Sequence, residues 1–229
     1  MHPSDGTIKG FFFDLDGTLL KAPEEDFYET LRELELPHDL EKVYTAYYGA
    51  REWYRQHVNA DRTGEEIWRA FAAQVLLRLG FVESPSSLMD RIQVSMDQRE
   101  PNRLFPDTQS VLKILRDKGF FLAIISSRPI LGVEEKLAFF DLRRYFSCVI
   151  ARESVRQIKP SPLPFFLALT QSGLQPNEAL YVGDSPEEDL AGAVAIGIRA
   201  YIVDRRGRFP PAPYLLKDLH ELLAREGIA

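Results

Sequence analysis

Two aspartates, Asp14 and Asp16, stand one residue apart at the end of an apolar run in the stretch GFFFDLDGTLL. Buried carboxylates are costly unless they are paired or bind a metal. If the run is a strand, alternation puts Asp14 and Asp16 on one face and Leu15 on the other. Gly17 then permits a sharp turn that brings backbone to the two acids. Other polar groups occupy places of the same kind. Ser126 and Ser127 follow the apolar FFLAII, and Lys159 stands in QIKPSP just before a helix start. Asp184 follows ALYVG, with Asp189 on the first turn of the next helix. Open parallel sheets bind ligands beyond the carboxyl ends of their strands. These sequence-distant groups are therefore expected along one edge.

Carboxylates gathered at one edge repel one another, and a hard divalent cation relieves that repulsion. Mg²⁺ prefers few carboxylates, several waters and a substrate phosphate, a need that Asp14 and Asp184 fit. One Asp14 oxygen can bind metal while the other attacks phosphorus, and Asp16 is then free to act as acid and base. Lys159 can hold nucleophile and phosphate together, while the Ser126 hydroxyl and nearby N–H groups bind phosphoryl oxygens. Phosphoryl transfer demands mainly such positioning and charge neutralisation. Plainer readings compete. An Asp-Gly turn needs no active site, and Asp5-Gly6-Thr7 is such a turn, with no strand and no second aspartate before it. Asp14 to Glu25 carries carboxylates at positions 1, 3 and 12 of a calcium loop, but Leu19 replaces the required glycine and a strand-like FFF precedes it.

The elements that must position these groups can be read from periodicity. Ile8–Phe13 is a continuous apolar run, as in a parallel strand covered on both faces. From about Pro23 to Leu104 the texture is helical. Leu40, Val43, Tyr44, Tyr47, Tyr54 and Val58 share one face. Thr63–Glu66 forms a capping box, followed by a stripe of Trp68, Phe71, Ala72, Val75, Leu76 and Leu79. A third helix is expected from about Ser84. After Leu104, helices and strands alternate: a helix capped by Asp107 and stopped by Gly119, then FFLAII, a helix over Ile130–Phe139, and a strand near Cys148. Ser161-Pro162 begins another helix, ALYVG is a strand, and SPEE opens the next helix. Arg199–Val203 is a strand and Leu215–Ala224 a final helix. The alternation predicts an α/β fold: a Rossmann-like parallel sheet covered by helices on both faces. A small α-helical cap domain, residues 21–104, interrupts the core, residues 1–20 and 105–229, and the links near Leu20–Glu24 and Glu100–Pro106 carry prolines suited to hinges. The loop DRRGRFPPAP is read as surface, its basic triad solvated.

With 229 residues the chain suits one large domain or a domain with an insertion. A net charge of −6 disfavours nucleic-acid binding through bulk positive charge. Cys148 is the only cysteine, so no internal disulfide exists, and it reads as a small buried hydrophobe. No apolar run approaches the ~20 residues that span a bilayer, and the polar N-terminus lacks a signal-peptide core. A cytoplasmic protein without membrane partner is the expectation. There is no P-loop or G-x-G-x-x-G fingerprint, and the four histidines lack metal spacing.

Taken together, DLDGT at Asp14–Thr18, Ser126, Lys159-Pro160 and GDSPEED at Gly183–Asp189 resemble the four motifs of the haloacid dehalogenase superfamily. The helical insertion resembles the cap of its phosphoglycolate phosphatase and phosphoglucomutase-like branch. The resemblance implies Asp14 as the nucleophile that forms an aspartyl-phosphate and Asp16 as acid and then base. It implies Mg²⁺ held by Asp14, the Asp16 carbonyl, Asp184 and, directly or through water, Asp189. Thr18, Ser126 and Ser127 would bind phosphate, with Lys159 as the cation. The reaction implied is hydrolysis of a small phosphorylated metabolite, with the cap closing over the core and selecting the leaving group. Arg51, Arg55 and His57 are cap residues that could meet substrate, although Arg51 and Arg55, one turn apart, equally suit a solvated face. Arg128 in the core could reach substrate or equally form a surface salt bridge. A sugar phosphomutase retains the same residues. Dehalogenases of the superfamily typically lack the second aspartate, so Asp16 argues against one. A binding or regulatory protein on an inactive core is disfavoured by the intact set Asp14, Asp16, Lys159 and Asp184.

Overall fold

The structure is a computed structural model that describes residues 7–36, 39–57, 64–81, 86–97 and 103–228. In chain order the elements are β1 (Gly10–Phe13), α1 (Pro23–Glu33), α2 (Leu40–His57), α3 (Gly64–Arg78), α4 (Ser86–Asp97) and α5 (Thr108–Asp117). There follow β2 (Phe121–Ile125), α6 (Ile130–Phe139), β3 (Cys148–Ile150), α7 (Arg152–Val155), α8 (Leu163–Ser172) and β4 (Ala179–Gly183). The chain closes with α9 (Ala191–Val194), β5 (Arg199–Val203), β6 (Leu215–Leu216) and α10 (Leu219–Arg225). It divides into two compact units, Met1–Lys21 with Leu104–Ala229, and Ala22–Arg103.

The first unit is a six-stranded sheet in the order β3-β2-β1-β4-β5-β6, with every pairing parallel. Side-chain alternation sorts its residues into two cores. Phe11, Phe13, Ile124 and Val182 pack on one face with Leu112 of α5, Leu137 of α6 and Leu222 of α10. Phe12, Ala123, Ile125 and Tyr181 pack on the other with Phe165 of α8 and Ala193 of α9. A strand buried on both faces needs apolar residues at every position, which is why GFFF is unbroken. Beyond its end the backbone ladder continues one step, the Asp14 amide donating to the Val182 carbonyl at 2.9 Å. Asp14 thus emerges between β2 and β4, at the centre of the carboxyl edge.

The second unit packs α1 to α4 around an aromatic centre. The rings of Tyr47 and Phe71 meet edge-on at 4.8 Å, and Phe27 approaches Tyr47 and Trp68 at 6.2 Å each. The stripe expected over Trp68–Leu79 lies on α3, where Ala72, Val75 and Leu76 are fully buried. Val58, Thr63 of the capping box and Ser84 lie outside the described residues.

Three elements depart from the sequence reading. Helix α1 begins at Pro23, where a hinge was expected; Pro occupies the first helical position, which has no use for its missing N–H. Leu215 and Leu216 extend the sheet as β6, and the last helix starts only at Leu219. Asp107 precedes α5 without capping it through its side chain. Its carboxylate instead accepts the Leu219 amide at 2.7 Å and a fork from Arg205 at 2.9 and 3.0 Å. The bidentate Arg205 fork and the Leu219 amide occupy both carboxylate oxygens in place of the α5 amides. Among the described residues no helix is long and apolar enough to cross a membrane.

Candidate active site

Every residue singled out along the predicted strand ends belongs to the sheet unit, and most of them are buried. Asp14 is 6 % exposed, Lys159 3 %, Asp184 3 % and Asp189 1 %. Gly17 has φ of +84°, and a Cβ there would overlap the Asp184 carboxylate. Only glycine permits both the turn and this approach, so the β1 loop lies against the end of β4. Gly183 serves the same purpose for Asp189, whose carboxylate occupies the space its side chain would fill.

Lys159 is the centre of the cluster. Its ammonium donates to Asp14 Oδ1 at 2.6 Å, to Asp189 Oδ1 at 2.6 Å and to the Tyr181 hydroxyl at 3.1 Å. Tyr181 donates in turn to Asp189 Oδ1 at 2.7 Å, and Asp189 Oδ2 accepts the amides of Asp184 and Ser185 at 3.0 Å each. The Lys159-Pro160 peptide is cis. Asp14, Asp184 and Asp189 each place one carboxylate oxygen within 4.8 Å of the other two.

Charge is out of balance here. Burial pushes the Asp14 carboxyl well above the usual range, Lys159 pulls it down, and Asp189 and Asp184 push it up again. Burial also opposes the Asp189 charge, but Lys159, Tyr181 and the Ser185 amide outweigh it and hold that carboxyl below its ordinary value. Burial works against the Lys159 ammonium, yet Asp14 and Asp189 together hold it above its ordinary value. Three buried carboxylates thus meet here, Asp14 and Asp189 sharing the Lys159 ammonium and Asp184 having the Arg208 guanidinium at 3.6 Å. The donor set is all oxygen, and its excess negative charge suits a hard divalent cation. Asp189 fits such a cation least directly. Its two oxygens already accept four donors, about the capacity of a carboxylate, so direct ligation by Asp189 competes with all four contacts.

The remaining predicted residues surround this cluster. Thr18 is fully buried and its hydroxyl has no partner; the buried Ser127 hydroxyl has none either. Buried hydroxyls without partners are uncommon, and both stand beside the strand ends. Ser126 is 6 % exposed, and its hydroxyl accepts the Arg128 amide at 3.2 Å. Asp16 is gripped by Arg128, whose Nη2 donates to Oδ1 at 3.1 Å while Nε donates to Oδ2. In the helical unit, the Arg51 guanidinium stacks 4.6 Å from the Tyr48 ring centroid. The side chains of Arg55 and His57 lie outside what is described.

Sequence reasoning missed three participants. Tyr181 looked like one more apolar position of ALYVG, although it is the only residue of that strand with a polar tip, and a buried phenol needs a partner. Burial, then Asp189 and Asp14, push its hydroxyl above the ordinary range, so it remains a donor. The basic loop after β5 is not solvated as a whole. Arg205 forks onto Asp107 and donates to the Thr18 carbonyl at 3.0 Å. Arg208 donates to the Asp184 carbonyl at 3.2 Å and lies 3.6 Å from its carboxylate. Asp204 shapes that loop by accepting the amides of Arg208 and Phe209 at 2.9 Å each. Only Arg206 of the triad is exposed. The cue was Asp204 itself, a carboxylate ending a parallel strand.

Known proteins carry the same plan. Residues 8–197 match the family model described as haloacid dehalogenase-like hydrolase, and the chain belongs to that family. It is similar to the phosphoglycolate phosphatase of Escherichia coli strain K12, with 30% identity over 211 residues, covering 83% of this chain and 79% of the relative. Among solved structures, the HAD phosphatase of Thermococcus onnurineus aligns with a TM-score of 0.65 at 27% identity, over 96% of this chain and 99% of the other. The L-2-haloacid dehalogenase of Xanthobacter autotrophicus aligns with a TM-score of 0.73 at 21% identity, over 97% and 100%. That second likeness speaks to the fold alone.

Proposed function

We propose that the protein is a Mg²⁺-dependent phosphatase that hydrolyses a small phosphate monoester through an aspartyl-phosphate on Asp14. It is a phosphoric monoester hydrolase of the haloacid dehalogenase type. The observation that carries this reading is the buried meeting of Asp14, Asp184 and Asp189, with Lys159 bridging Asp14 and Asp189, beside two unpartnered hydroxyls. Asp14, the Asp16 carbonyl and Asp184 would hold the cation, which supplies charge neutralisation at the phosphoryl oxygens when bound.

Asp14 Oδ1 is engaged by Lys159, which fixes the carboxylate and orients it toward phosphorus. Thr18, Ser126 and Ser127 offer hydroxyls to the phosphoryl oxygens, satisfying Thr18 and Ser127 for the first time. As the P–O bond to the leaving group breaks, Asp16 gives its proton to the departing oxygen. It then removes a proton from the water that attacks the phosphorus of the acyl phosphate, returning Asp14 to a free carboxylate. Tyr181 and Asp189 act through Lys159, holding its ammonium charged and in place. The phosphatase-named relative supports a small phosphorylated metabolite as substrate.

A panel of phosphate monoesters, assayed with Mg²⁺ and with a chelator, tests the proposal. At least one ester should be turned over, and chelation should remove that turnover. Hydrolysis of no ester, or an equal rate in chelator, would overturn it.

A further inference from the structure

The Arg128 fork on Asp16 raises a mechanical difficulty for the reaction just proposed. An acid must come within hydrogen-bond reach of the ester oxygen it protonates, yet both Asp16 oxygens are taken by one guanidinium. Asp16 must give up at least part of that fork before it can serve. The donors it releases then need a new partner, because a charged donor left unpaired loses its desolvation free energy outright.

Arg128 is built to make such a move. Its backbone is fixed on both sides: the amide donates to Ser126 Oγ at 3.2 Å, and the carbonyl accepts the Arg152 amide at 2.9 Å. Its side chain is 31% exposed, against 4% for Lys159. Lys159 is held by three buried partners and cannot leave them cheaply. The fork is bidentate on a carboxylate only 13% exposed, so Arg128 leaves it most readily for another planar oxyanion that takes the same two donors. The guanidinium also lies where the leaving group must arrive, because it touches the carboxylate that has to meet the ester oxygen.

Building on the phosphatase reading, we propose that Arg128 reads the leaving group, passing from Asp16 to an oxyanion carried by the substrate near its ester oxygen. A planar fork matches a carboxylate or a second phosphate equally in charge and nearly so in geometry. Such a group frees Asp16 as it binds. A neutral leaving group leaves Arg128 on Asp16 and the acid occupied.

The test compares three phosphoryl donors on the wild type, Arg128→Met and Arg128→Lys, all with Mg²⁺. Phosphoglycolate supplies a carboxylate, inorganic pyrophosphate a second phosphate, and phosphoglycolamide the neutral counterpart. For at least one of the two anionic substrates, wild-type kcat/KM should exceed that of the amide at least about tenfold, and Arg128→Met should bring the ratio to near one. Arg128→Lys should retain part of it. The arm that shows the preference identifies the oxyanion. A purely structural role would lower all three substrates together and leave the ratio unchanged. That result, or a wild type without preference, overturns the inference. Hydrolysis of none of these substrates and of no ester of the panel would instead overturn the phosphatase reading beneath it.

Discussion

The two units solve opposite problems with the same kind of polymer. The helical unit fills its centre with rings and aliphatic chains, Phe27, Val75 and Leu76 being fully buried there, and among the described residues Glu24 on the first turn of α1 is its one fully buried acid. The sheet unit has a core as apolar, yet it carries buried ionic groups along its carboxyl edge: Asp14, Lys159, Asp184, Asp189 and Asp204. Packing decides the first arrangement, and it tolerates any residue of suitable size. Pairing decides the second, and each charge there depends on a named partner. The lesson is that substitutions in the two units should fail differently, one through lost contacts and the other through stranded charge.

Natural probes separate them. Both tryptophans, Trp53 and Trp68, lie in the helical unit, and the single cysteine lies on β3 of the sheet unit. The largest expected effect is catalytic. Asp14→Asn should lower turnover by about 10⁴-fold or more, as removal of a nucleophile does, with both probes unchanged; normal activity would remove Asp14 from its proposed role. Next, Lys159→Met strands two buried carboxylates and should destabilise the sheet unit by about 3–5 kcal/mol, read by denaturant exposure of the Cys148 thiol. An effect below about 1 kcal/mol would mean that the site relaxes around the loss.

Phe71→Ala tests the other side. Phe71 is 6 % exposed and packs against Tyr47, Tyr54 and Trp68. It should cost about 3 kcal/mol in the transition read by tryptophan fluorescence, with a smaller shift at Cys148. Equal shifts at both probes would show that the two units unfold as one. Thr18→Val then sharpens the contrast, because it removes a buried hydroxyl that has no partner. Stability should rise by up to about 1 kcal/mol while phosphatase activity falls; a loss of stability would mean that the hydroxyl already has a structural use. The smallest effect concerns Cys148, whose thiol burial pushes up to about 11. In the native protein it should resist alkylation at pH 8, and rapid modification would contradict that burial.

The sheet was legible because its strands are short apolar runs at regular intervals, and the candidate site because chemically distinctive residues end those runs. Asp14, Asp184 and Lys159 could be brought to one edge by topology alone. Pairings across the edge were not legible. Arg128 finding Asp16, Arg205 finding Asp107 and Arg208 finding Asp184 depend on which loops lie side by side, and no local periodicity encodes that. Tyr181 was hidden by its own apolar body. Helix α1 was hidden by Pro23, which reads equally as hinge and as first helical residue. The span Leu215–Leu216 is too short for its pleat to be told from a helical start.

The central claim is that Asp14 accepts phosphorus beside a cation held with Asp184. Acid-quenched turnover with Mg²⁺, followed by mass spectrometry of the peptide containing Asp14, tests it most directly. The account predicts a transient phosphoryl group on Asp14 in the wild type and none in Asp14→Asn. Product formation in the wild type with Asp14 never labelled, at times when turnover is under way, would contradict it.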